Sequence, residues 1–439
     1  MSELNQPSGS RNRNSMFHPK KIIRKFLKTV GPGFITGAAD DDPSGIATYS
    51  QTGAMFGYNQ LWTPLFSLPF MIVVQEMCGR IGMVTGKGLA GVIRKHYSKK
   101  ILAFAVLLLL VANTINIGAN LGAMAAALQL VIPLPFSVLL ISVTTLTLFL
   151  EIFVSYKTYT KYLKYLALSL LSYFVVAIVV KQDWLEIARS VVMPEFSFTR
   201  NYLINIVAIL GTTISPYLFF WQASQEVEEA VANKKIRAMG LGVPKITIRD
   251  IRRLRADTTF GMIFSNLIMF FIIVTTASTL HRNGITFIAT APEAAEALRP
   301  LAGDFSFLLF ALGIVGTGFL AVPVLAGSAS YALSEAFGWK EGLYRKFTQA
   351  QGFYGVIILA TLVGLLVNYT PVSPFQLLYY TAILNGFCAP PLLVLIMLIS
   401  NNTKILGKHT NGMLSNVLGW GITGLIFLCT FGLVVSFLL

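Results

Sequence analysis

Gly37-Ala-Ala-Asp-Asp-Asp-Pro-Ser-Gly-Ile46 sets three consecutive carboxylates, a proline and a glycine inside an apolar run from Val30 to Phe56. Proline has no N–H to donate and clashes with the preceding turn, so Asp42-Pro43-Ser44-Gly45 breaks the helix. A charged, helix-breaking patch inside an apolar span is costly. Such patches persist where they line a cavity or a site. The sequence therefore predicts two half-helices with polar backbone between them.

The surroundings are those of a membrane. The chain has 439 residues, 55% of them hydrophobic and 12% charged, with a mean hydropathy of +0.68. Soluble domains carry about 25% charged residues. Eleven apolar spans are expected near 30–57, 60–84, 101–131, 134–155, 165–181, 202–225, 258–280, 304–334, 351–369, 375–400 and 414–439, each about the 20 residues that a bilayer requires. The first 28 residues are polar and basic and read as a cytoplasmic tail rather than a cleavable leader. With the N-terminus inside, 29 of the 34 Lys and Arg residues fall in that tail and in the even-to-odd loops. This bias predicts a cytoplasmic N-terminus and an outside C-terminus. It also accounts for the net charge of +15 as a topology signal, so no nucleic-acid partner is expected.

Catalytic signatures are missing from plausible contexts. Cys78, Cys388 and Cys429 have neither disulfide nor metal spacing, and the four histidines fall in loops or at span ends. The cysteines read as packing residues and the chain as no enzyme, with no resident cofactor. The Glu226, Glu228 and Glu229 run reads as a solvated helix end, followed by a 33-residue loop, Gln225–Asp257, acidic and then basic.

A second break lies in the sixth span, where Gly211-Thr212-Thr213-Ile214-Ser215-Pro216-Tyr217 interrupts an apolar helix. Two interrupted spans five apart have opposite entry sides, the mark of inverted repeats with a site between the broken helices. The expected organisation is a tail over 1–29, five-helix repeats over 30–181 and 202–400, and an eleventh helix over 414–439. The third span adds an amide face, Asn113, Asn116 and Asn120, about one turn apart and suited to hydrogen bonds between helices.

These residues carry a resemblance. Gly31-Pro-Gly-Phe34, Asp42-Pro43, Gln51-Thr-Gly-Ala54, Gly57-Tyr58 and Leu61-Trp62 surround the first break. Arg80-Ile-Gly-Met-Val-Thr-Gly-Lys87, Leu89-Ala90 and Tyr97 follow, then Leu210-Gly211, Pro216 and Asp257-Thr-Thr259. With these motifs the chain resembles the Nramp family of divalent-metal transporters; the likeness thins after residue 280. The resemblance implies an all-α polytopic membrane protein with a LeuT-like fold, eleven transmembrane helices, helices 1 and 6 broken, and a cation site between them. The departures are informative. The family's Asp-Pro-Gly-Asn is Asp42-Pro43-Ser44-Gly45 here, so the carboxylate stays and the amide goes. Its Met-Pro-His is Ser215-Pro216-Tyr217, and its next histidine falls at Gln222. The family's acidic pair in span 3 falls at Asn116 and Ala119 in an ungapped reading.

Thioether sulfur favours softer metals, whereas carboxylate, carbonyl and water suit Mg²⁺, Ca²⁺ and Mn²⁺. The expected metal-holding positions are Asp42, Ser44, Gly45, Thr212, Ser215 and Tyr217, using side-chain oxygens and carbonyls freed at the breaks. Mg²⁺, which keeps several waters, is the first expectation for the transported cation. Asp42 has an alternative role as a helix N-cap. Asp40 and Asp41 either add charge at the inner vestibule or face water and cytoplasmic lysines. With no embedded acid or histidine chain beyond the Asp triplet, proton coupling is expected to be weak or absent. Mn²⁺/Fe²⁺ symport with H⁺, a Na⁺- or H⁺-coupled carrier of a small organic solute, and a non-transporting membrane sensor are the competing readings. The expected partners are the cation and the lipid bilayer; the sequence leaves the oligomeric state open, a monomer being compatible with it.

Overall fold

The computed structural model describes residues 31–154, 170–180, 182–197 and 199–438. The expected tail over 1–29, the Tyr156–Tyr165 joint and the first residues of the fifth span lie outside the described residues. Those described form helices: α1 Pro32–Asp40, α2 Pro43–Phe56, α3 Thr63–Thr85, α4 Leu89–His96, α5 Lys99–Gln129, α6 Phe136–Phe153, α7 Leu171–Val179, α8 Trp184–Val192, α9 Arg200–Thr213, α10 Pro216–Ala232, α11 Ile248–Thr279, α12 Ser306–Phe337, α13 Gln351–Val367, α14 Pro374–Ser400 and α15 Met413–Leu438. Short helical turns lie between α11 and α12. Eight helical stretches among the described residues are long and apolar enough to cross a bilayer, and α13 is a shorter apolar helix. The chain is a multi-pass integral membrane protein.

Both breaks follow one local rule. Asp41 and Asp42 leave helical geometry between α1 and α2, and Pro43 opens α2. Ile214 and Ser215 do the same between α9 and α10, and Pro216 opens α10. Proline suits a first helical position because its missing N–H had no partner there in any case.

Small residues let these half-helices approach their neighbours. A Cβ on Gly37 would lie 2.3 Å from the Gly261 carbonyl oxygen, so α1 packs backbone to backbone on α11. A Cβ on Gly211 would lie 2.1 Å from the Ala382 carbonyl oxygen and 2.3 Å from the Gly386 nitrogen, seating α9 on α14. Such close approach is how helices associate where lipid offers no hydrophobic drive.

Two sequence expectations are corrected. The loop after the sixth span is mostly helix: α10 runs to Ala232 and α11 begins at Ile248. Thr247 and Asp250 form a reciprocal capping box there, Asp250 Oδ2 accepting from the Thr247 N–H at 2.9 Å, which starts α11 ten residues before the apolar run. The glutamate run is not a solvated end. Glu226 is buried, Glu228 accepts from Tyr331 Oη and the Leu343 N–H, both at 2.6 Å, and Glu229 pairs with Arg253 at 3.0 Å. Charge at a span end is retained by pairing with neighbouring helices.

Candidate functional site

Asp42 caps α2. Its Oδ1 accepts from the Gly45 N–H at 2.8 Å and from Ser44 Oγ at 2.6 Å. Its Oδ2 accepts from Asn120 Nδ2 at 3.2 Å, so the amide face of α5 reaches the break. Asn116 supports that amide, its Oδ1 accepting from Asn120 Nδ2 at 3.0 Å and from Thr381 Oγ1 at 3.2 Å. Asp42 and Ser44 are buried. At Gly45 a Cβ would meet the Asp40 carbonyl oxygen at 3.0 Å, Tyr49 Cε2 at 3.3 Å and Thr212 Oγ1 at 3.4 Å. No amide side chain fits there without displacing those atoms, and the same contacts bring Thr212 of the second break against the first.

Tyr217 ties the breaks together: its Oη donates to the Ala39 carbonyl oxygen at 3.1 Å, at the C-terminal end of α1. Ser215 turns inward, its Oγ bonding the carbonyl oxygens of Gly211 at 2.7 Å and Thr212 at 2.6 Å. Helix ends leave their last carbonyls without intrahelical partners. Tyr217 and Ser215 satisfy carbonyls at the ends of α1 and α9, and each reaches them from the other side of a break.

Asp40 and Asp41 neither face water nor meet lysine. Both are buried, and Ser265 Oγ of α11 lies 2.7 Å from Asp40 Oδ2 and 3.1 Å from Asp41 Oδ1. Asp40 Oδ1 and Asp41 Oδ2 are buried without a hydrogen-bond partner among the described residues. Three carboxylates thus crowd a layer where the described residues supply no salt bridge to them. Buried charges require pairing or a cation. Among the described residues, no group of three or more His, Cys, Asp and Glu is placed as a ready-made metal cage.

Polar links close the breaks on both sides. Toward the basic face, Thr36 Oγ1 bonds Gln222 Oε1 at 2.5 Å, and Gln222 Nε2 donates to Glu226 Oε1 at 3.0 Å. Asp257 accepts the Gly31 and Gly33 N–H groups at 2.9 and 2.7 Å, holding the start of α1. On the other side, Asn205 Nδ2 donates to Thr52 Oγ1 at 2.9 Å, and Tyr379 Oη donates to Asn205 Oδ1 at 2.9 Å. The site is held in an occluded arrangement. Asn120 was legible as part of an amide stripe. Ser265 carried no sequence signal.

The model of the family described as natural resistance-associated macrophage protein-like matches residues 33–436. The chain belongs to the Nramp family. Among curated Nramp relatives, the divalent metal cation transporter MntH of Klebsiella pneumoniae (strain ATCC 700721 / MGH 78578) is 24% identical over 98% of this chain and 99% of its own. Among solved structures, the Eremococcus coleocola manganese transporter superposes with a TM-score of 0.71 at 16% identity, covering 97% of this chain and 88% of that one. Mhp1, a nucleobase-cation-symport-1 family transporter, gives 0.56 at 12% identity over 93% and 91%. The likeness to these structures shows a LeuT-like fold, with helices 1 and 6 broken; the family is one of metal-ion transporters, not of enzymes.

Proposed function

We propose that this protein carries a hard divalent cation, Mg²⁺ first, across the membrane by alternating access, with proton coupling weak or absent. The observation that carries the reading is that the two breaks meet beside Asp42, Tyr217 on the Ala39 carbonyl and Thr212 against Gly45, with carboxylate, hydroxyl and carbonyl oxygens along the seam. Ser215 and Tyr217 stand where the family pattern places a thioether and an imidazole. An all-oxygen, sparsely liganded site suits a cation that retains water. Asp42 supplies the central charge. Ser44, Gly45, Thr212, Ser215 and Tyr217 frame it with hydroxyls and carbonyls. The repeats span 30–181 and 202–400, with the N-terminus cytoplasmic, as the basic loops indicate.

The likeness to a manganese transporter favours a second reading, Mn²⁺, whose family-type form is symport with H⁺. Uptake by proteoliposomes of Mg²⁺, Mn²⁺, Fe²⁺, Ca²⁺ and Na⁺, with internal pH recorded, separates the two. The expected result is Mg²⁺ uptake without stoichiometric acidification, lost in Asp42→Ala. Unchanged binding and uptake in Asp42→Ala removes Asp42 from the site. Preference for Mn²⁺ with stoichiometric proton entry replaces the first reading with the second.

A further inference from the structure

A cleft of about 550 Å³ opens at the basic end of the bundle, far along the chain from the helix breaks. Its walls come from α4, the turn at 238–241 and the segment joining α12 to α13. Five cations line it: Lys87, Arg94, Lys95, Lys340 and Arg345. None is in a salt bridge among the described residues. Three of them instead donate to backbone carbonyls. Lys87 Nζ reaches Gly240 at 2.9 Å, Arg94 reaches Glu335 at 3.1 Å, and Arg345 Nε reaches Glu341 at 2.9 Å.

The two carboxylates in the same cleft form no salt bridge with these cations among the described residues. The Glu335 side chain is turned onto backbone, accepting the Gly88 N–H at 2.5 Å and the Gly91 N–H at 2.9 Å at the start of α4. Burial, followed by the nearby Glu335 and Glu228, pushes the Glu341 carboxyl up to about 10. The indole of Trp339 forms part of the wall and is about half exposed. A basic membrane face alone explains scattered lysines in the headgroup region. It does not explain five cations gathered around one concave volume, within the range of small-molecule sites, with their only acids withdrawn.

We propose that this cleft is a binding site for a phosphate-bearing anion. Lys95, Lys340, Arg94 and Arg345 can contact phosphate oxygens around the rim, the guanidinium groups in bidentate fashion. The same chemistry is offered by a soluble polyphosphate and by the headgroup of an anionic phospholipid. The proposal is independent of which cation the helix breaks carry.

The experiment uses the purified full-length protein. Pyrophosphate and ATP are titrated in detergent, with tryptophan fluorescence and calorimetry as readouts. In parallel, nanodiscs of phosphatidylcholine with and without phosphatidylglycerol are compared by co-purified lipid. Saturable binding in either arm is expected, weakened at least tenfold in Lys95→Glu/Lys340→Glu, two exposed positions whose exchange spares the packing. Soluble-anion binding assigns the site to a polyphosphate. Phosphatidylglycerol enrichment alone assigns it to lipid. Lys100→Glu/Lys404→Glu, exposed basic residues outside the cleft, is the control. Equal weakening by that control pair, or no saturable binding in either arm, overturns the proposal.

Discussion

Tyr217 Oη donates to the carbonyl oxygen of Ala39 at 3.1 Å, linking the first turn of α10 to the last turn of α1 across both helix breaks. The phenol thereby occupies a carbonyl that a bare helix end leaves open. Ser215 does the same for α9. The proposed cation site therefore lies at breaks whose carbonyls are partly engaged by protein, beside the buried acidic layer.

Asp42 has two separable roles, cap and charge. Asparagine caps a helix as well as aspartate does, whereas alanine in place of a capping residue costs about 0.5–2 kcal/mol. Asp42→Asn is expected to keep the thermal stability of the cation-free protein and to lose Mg²⁺ binding by at least tenfold in calorimetry. Retained Mg²⁺ affinity would show that Asp42 serves only as a cap.

Asp41 leaves one oxygen unpartnered beside Asp40, with Ser265 shared between them. Removing one buried like charge relieves repulsion in the empty site. Asp41→Asn is expected to raise the melting temperature of the cation-free protein and to shrink the added stabilisation by Mg²⁺. A thermal-shift series with and without Mg²⁺ reads both. A lowered melting temperature without cation contradicts the idea.

Ser215 replaces a thioether in the family pattern. Ser215→Met restores a softer donor and removes the hydroxyl that engages Gly211 and Thr212. Mn²⁺ is expected to gain on Mg²⁺ by about tenfold in competitive uptake, corresponding to about 1.4 kcal/mol. An unaltered Mg²⁺-to-Mn²⁺ ratio in a folded variant sets this role aside.

Gly37→Ala places a Cβ 2.3 Å from the Gly261 carbonyl oxygen. Backbone must move, and overpacking of this kind costs about 1–3 kcal/mol. Separation of α1 from α11 is expected to loosen the occluded arrangement, read as faster labelling of a cysteine introduced at Thr36. Unchanged labelling and stability would show that the seam tolerates the methyl.

Glu341 couples the basic end to pH. Its carboxyl is held at about 10 against an ordinary 4.5, chiefly by burial and then by Glu335 and Glu228, with Lys87 and Arg345 opposing. The folded protein then binds more protons at this site than the unfolded chain between those values. Its contribution is present below about 4.5 and is lost as pH rises toward about 10. Glu341→Gln is expected to flatten the decline of melting temperature across that window. A slope equal to that of the unmodified protein would place the coupling elsewhere.

Much of the fold was legible because membranes impose one-dimensional rules. Apolar length marked the spans, and Pro43 and Pro216 marked the breaks to within two residues. The start of α11 was missed because its first turns are basic, and a hydropathy reading ends where Arg255 begins to outweigh the apolar residues. The capping box at Thr247 and Asp250 was the available signal. The glutamates near the end of α10 looked solvated because their partners, Tyr331, Leu343 and Arg253, come from other elements.

The sequence by itself determined a membrane-spanning helical chain, two proline-opened half-helices, a carboxylate at one break and the absence of sulfur or imidazole at the other. Those properties depend on residue type and near neighbours along the chain. Which oxygens are already satisfied was decided only by the tertiary structure. Asn120 reaches Asp42 across 78 positions, Tyr217 reaches Ala39 across 178, and Ser265 reaches Asp40 across 225. A hydrogen bond forms only within about 3 Å, and packing alone brings residues so far apart in sequence to that distance.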